Sequence, residues 1–137
     1  MATLATNVKR QAGRPLTPIE IFEIAAAREI QLSRLLMIYI STGLIFMLLL
    51  GTFLGVWNLI AISSHHAADS VSPAWIQAHG HAQIFGWIGT FILGIGFHSI
   101  PKLRRTTSFG LWAPWTCWGL WTSGVILHWL TVVYQWQ

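Results

Sequence analysis

The distribution of charge constrains this chain more than any other feature. Leu35–Ala68, Ser70–Pro101 and Thr106–Gln137 contain no Asp, Glu, Lys or Arg. At about 1.5 Å rise per residue, roughly 20 apolar residues cross a hydrocarbon layer near 30 Å, so each stretch predicts one membrane helix with its interfacial ends. The expected fold class is all-α: an integral-membrane three-helix bundle with spans at 35–62, 78–100 and 110–134. A content of 54% hydrophobic and 9% charged residues argues the same way, against both disorder and an ordinary water-soluble domain.

Three segments follow from the pattern. Residues 1–14 are polar and basic without periodicity, and a mobile terminus is expected there. Residues 15–34 predict an amphipathic interfacial helix. Pro18 suits a first helical turn, Glu20 and Glu23 favour the positive end of a helix dipole, and Ile19, Phe22, Ala26 and Ile30 recur at helical spacing. The same residues are also consistent with one long helix that runs on into the first span. Residues 35–137 form the transmembrane domain.

The net charge of +4 reads as membrane topology. Lys9, Arg10, Arg14, Arg28 and Arg34 precede the first span, and Lys102, Arg104 and Arg105 fill the second link. No Lys or Arg occurs in the link Ser63–Ala78. All the cations thus fall on one side, which the positive-inside bias makes cytoplasmic together with the N-terminus, leaving the C-terminus outside. Nucleic acid is not an expected partner, because these cations do not line a polar surface interleaved with aromatic platforms. The lipid bilayer is.

Small and aromatic residues mark helix contacts. Gly51 and Gly55 make a GxxxG pair in the first span, and Gly86, Thr90 and Gly94 form a smooth strip along the second, fit for a neighbouring helix or a flat ligand. Trp112, Trp115, Trp118 and Trp121 recur at intervals of three, as interfacial belts and helix packing require. Cys117 is the single cysteine, which rules out an intrachain disulfide and a CxxC site. No apolar core followed by a cleavage site marks a signal peptide in the first 34 residues.

The chemistry rests on six histidines. Asp69 is the only acid beyond residue 29, so a hydrolase triad and a paired-carboxylate glycosidase lack parts. His81 lies 18 residues from Ser99, and His128 lies 18 residues from Gly110; both counts give about 27 Å of helical rise. His79, His81 and His128 therefore share a layer. Polar residues at membrane depth are expensive and face a bundle interior, which makes this layer the candidate metal or haem site. Residues two apart on a helix point nearly opposite ways, so His79 and His81 predict two roles rather than one. Copper or zinc at His65, His66 and His81, assisted by Asp69, is a weaker expectation.

The string His79-Gly80-His81-Ala82-Gln83-Ile84-Phe85-Gly86-Trp87, followed by a glycine-rich apolar helix and Phe97-His98-Ser99-Ile100-Pro101, resembles the second helix of haem–copper oxidase subunit I. It is also similar to the HxHxxxFG segment of the NnrS family of haem- and copper-containing membrane proteins. The resemblance implies that His79 is an axial ligand of a low-spin haem, b-type by preference, with His81 as the alternate and His128 or a histidine of another chain as the second ligand. It further implies that Gly86, Thr90 and Gly94 let the porphyrin lie close, and that His81 contacts a propionate or holds copper. These residues supply neither the oxidase copper ligands nor a proton channel. The implied role is therefore a subunit in electron transfer or haem-dependent sensing, in a homo-oligomer or a larger respiratory complex of the bacterial inner membrane. As an enzyme it would be a component of an oxidase or reductase complex. The alternative is a non-catalytic structural or assembly subunit.

Overall fold

The computed structural model describes residues 17–67, 71–104 and 110–134. The expectations placed on residues 1–14, Asp69 and Arg105 lie outside these. All the regular structure among the described residues is helical. Two compact units are present, Met1–Gln31 and Leu32–Gln137.

Helix α1 spans Pro18–Ile45. Its start is a reciprocal cap: the Thr17 backbone N–H donates to a Glu20 carboxylate oxygen (2.7 Å), and the Glu20 N–H donates to Thr17 Oγ1 (3.3 Å). With Pro18 in the first turn, this cap satisfies donors that a helix start leaves orphaned. Residues 18–34, expected as an interfacial helix or as the beginning of a long one, belong to α1 in the same helix as the first apolar residues.

A π-helical stretch, Phe46–Thr52, follows α1 and leads into α2, Phe53–His65. The second rod repeats this design. Helix α3 covers Pro73–His81, a π-helical stretch covers Ala82–Gly89, and α4 covers Thr90–Arg104. Ser72 caps α3 by accepting the Ala74 N–H at 3.2 Å, with Pro73 in the first turn. The helix runs past residue 100, where the span was expected to close, to Arg104, with Pro101 inside its last turn. Helix α5, Trp112–Tyr134, is the third rod.

The rods Pro18–His65 and Pro73–Arg104 are both long and apolar enough to cross a membrane. Helix α5, with 23 residues and no Asp, Glu, Lys or Arg, has the length of a span, but its tryptophans and His128 lower its hydropathy.

Within Leu32–Gln137 the rods lock through glycine seats and tryptophan tethers. Tyr39 is fully buried, donates its hydroxyl to the Pro114 carbonyl at 2.7 Å, and covers Gly94 so closely that a Cβ there would lie 2.6 Å from its own Cβ. Phe46 covers Gly86 in the same way, at 2.8 Å. Trp118 Nε1 donates to Thr42 Oγ1 (3.1 Å), while Trp121 Nε1 reaches the Phe85 carbonyl and Thr90 Oγ1, both at 3.2 Å. Each tether ties α5 to another rod through a polar bond in an apolar setting, where an unpaired indole N–H is costly.

Candidate functional site

The start of the second rod carries the histidines of interest. His79 and His81 both lie on α3, just before the π-helical stretch, and their side chains go to different neighbours. His79 turns to the first rod. Its Nδ1 lies 2.8 Å from the carbonyl oxygen of Gly51, so Nδ1 carries the proton and donates it. Nε2 is then the unprotonated nitrogen, with its lone pair free for a ligand bond. This is the arrangement in which metal-binding imidazoles are found: one ring N–H is held by a carbonyl, which fixes the tautomer and orients the ring.

The ring has been given its room by glycine. A Cβ on Gly55 would lie 2.8 Å from His79 Cε1, and one on Gly51 would lie 2.5 Å from Gln83 Nε2. The GxxxG pair of the first span is thus spent inside the chain, on the imidazole of His79 and the amide of Gln83. His79 and Gln83 line a cleft of about 520 Å³ together with Thr52, Gly55 and Asn58. Asn58 is 8% exposed, and its Oδ1 is buried without a hydrogen-bond partner among the described residues. A buried unpaired amide oxygen is unfavourable by about 1–3 kcal/mol.

His81 turns the other way. Its ring stacks on that of His128 in α5, with centroids 3.9 Å apart, and touches Phe85 at 4.7 Å. The common depth counted along the sequence for His81 and His128 is realised as direct contact. The expected pairing of His79 with His128 across a haem is not, because α3 directs His79 to Gly51 and leaves His128 to His81. Nor do the His81 and His128 rings hold a porphyrin between them at this separation, since bonds of about 2 Å from two axial nitrogens to one iron put the ring centres farther apart.

The strip Gly86, Thr90 and Gly94 was expected to seat a porphyrin or a helix, and it seats the helices. Gly86 and Gly94 are covered by Phe46 and Tyr39, and Thr90 is fully buried and bonded by Trp121. A flat ligand has no room on this strip. The remaining histidines stand apart: His98 Nε2 accepts from Lys102 Nζ at 2.9 Å, and His65 and His66 are exposed at the end of α2. Asn58 and Gln83 are the site residues that the sequence reading missed. The one signal for Asn58 was a strongly polar amide in an otherwise apolar stretch.

No protein-family model, no curated protein and no solved structure matches this chain.

Proposed function

We propose that this chain is a three-span subunit of the bacterial inner membrane that holds a haem through His79, within a His79–Trp87 string that resembles segments of haem–copper oxidase subunit I and NnrS proteins. The observation that carries the reading is the Nδ1–H bond from His79 to the Gly51 carbonyl, which leaves Nε2 as a preset ligand beside a cleft. Membrane placement is supported by the two long apolar rods and by the outward display of Leu49, Phe53, Leu59, Ile92, Leu120 and Leu127, each more than 60% exposed. Apolar surface on this scale is unfavourable in water and suits lipid. The N-terminus and the Lys102–Arg104 end then face the cytoplasm, and His79 lies toward the outer side.

When bound, haem supplies a one-electron iron couple. The chain's own residues do the rest. His79 offers Nε2, Gly51 holds the other ring nitrogen, and Gly55 leaves the space in which the ring stands upright. Asn58 and Gln83 bring amide groups to the cleft wall, whose N–H donors would suit a propionate. With His128 in contact with His81, a second ligand to the iron would come from another chain. This fits a homo-oligomer or a larger respiratory complex in electron transfer or haem-dependent sensing.

A second reading uses the same bond differently. If His79 serves only to join the first two rods by hydrogen bonding, the chain is a structural or assembly subunit. An optical spectrum separates the two: detergent-purified chain, expressed with haem supply, shows sharp reduced α and Soret bands under the haem reading. These bands vanish in a folded His79→Ala variant. A folded chain without bands favours the structural subunit.

A further inference from the structure

A second site, chemically distinct from the His79 cleft, lies on the other side of α3. His81 and His128 bring two imidazoles to a centroid distance of 3.9 Å, one from the second rod and one from the third. His79 spends a ring nitrogen on Gly51 and His98 spends one on Lys102, yet neither ring of the stacked pair has a hydrogen-bond partner among the described residues.

A cavity of about 250 Å³ opens beside the pair, walled by Phe85, Leu120, Trp121 and Val125, with no carboxylate or ammonium group in its lining. The frame is fixed as well: Trp121, about two helical turns before His128 on the same face, bonds Phe85 and Thr90 of the second rod. Both imidazoles are therefore presented from backbones held in register. Neutral imidazole is a good ligand for copper and zinc, with bonds of about 2.0–2.1 Å, and rings already in contact reach a common ion by side-chain rotation.

We propose that His81 and His128 together bind one first-row transition-metal ion of copper or zinc type, with its remaining coordination positions turned to the adjoining cavity. The site does not depend on haem at His79, because the two histidines face different rods.

The test is metal titration of the full purified chain in detergent, using zinc(II) against a competing chromophore and copper(II) by electron paramagnetic resonance. The expected result is one ion per chain, with nitrogen hyperfine structure for copper. Affinity falls at least tenfold in His81→Phe and in His128→Phe, which keep a ring in the stack, and is unchanged in the His65→Ala/His66→Ala double variant. Haem bands stay unaltered in the His128→Phe protein. Undiminished binding in both Phe variants, or binding lost only with His65 and His66, overturns the site. Acylation of histidines in the unaltered chain gives an independent readout: bound zinc protects His81 and His128 but not His98, and equal labelling with and without zinc contradicts the proposal.

Discussion

His79 of the second rod donates Nδ1–H to the carbonyl oxygen of Gly51 in the first, at 2.8 Å. The bond crosses between helices where the first rod is wound as a π-helix, a form that is rare and often found at functional sites. It fixes the imidazole tautomer, joins two rods and leaves one nitrogen unspent. Orientation of the ligand and cohesion of the fold therefore come from the same contact.

The glycines beneath this contact differ in what they support. At Gly55 an added methyl meets the stiff ring of His79 at 2.8 Å, whereas at Gly51 it meets the far end of the flexible Gln83 side chain. Gly55→Ala is expected to weaken haem binding at least tenfold, measured by haem titration, with helicity retained. Gly51→Ala should show a clearly smaller loss. Equal effects would mean that the ring position is not what Gly55 secures.

Asn58 sets stability against binding. Asn58→Leu removes a buried, unpaired amide oxygen and should stabilise the haem-free chain by about 1–3 kcal/mol in detergent unfolding followed by circular dichroism. The same change should lower haem affinity. A loss of stability would show that Asn58 has a partner in the folded chain.

Tyr39 couples the first and third rods. Tyr39→Phe deletes the bond to the Pro114 carbonyl and is expected to destabilise by about 0.5–1.5 kcal/mol. Gly94→Ala, which drives a methyl to 2.6 Å from Tyr39 Cβ, should be worse, at about 1–3 kcal/mol, because that contact lies close to backbone and gives little. The ranking is read from the two unfolding midpoints.

The α2 helix ends with His66 at φ 53°, a left-handed conformation that disfavours a side chain. His66→Gly is expected to raise stability by about 1 kcal/mol without touching haem or metal binding. A destabilised variant would assign the His66 imidazole a structural contact.

The helical class was legible because charge is confined to short blocks, and a chain can place uncharged apolar runs of this length in few ways. The divergence of His79 and His81 was legible too, since two residues turn a helix nearly halfway round. What the sequence could not give was the assignment of faces. The π-helical stretches at 46–52 and 82–89 rotate every later residue relative to a regular count, and they carry no local sequence mark. The roles of Gly86 and Gly94 depended on where Phe46 and Tyr39 project, which is a property of packing rather than of spacing. Asn58 gained its meaning only from lying beside His79.

The central claim, that His79 is a haem ligand, is tested most directly by reduced-minus-oxidised spectra of the haem-supplemented chain beside its folded His79→Ala and His128→Ala variants. The account predicts sharp α and Soret bands in the unaltered chain and in His128→Ala, and their loss in His79→Ala. Bands that survive His79→Ala, or that depend on His128 instead, would contradict it.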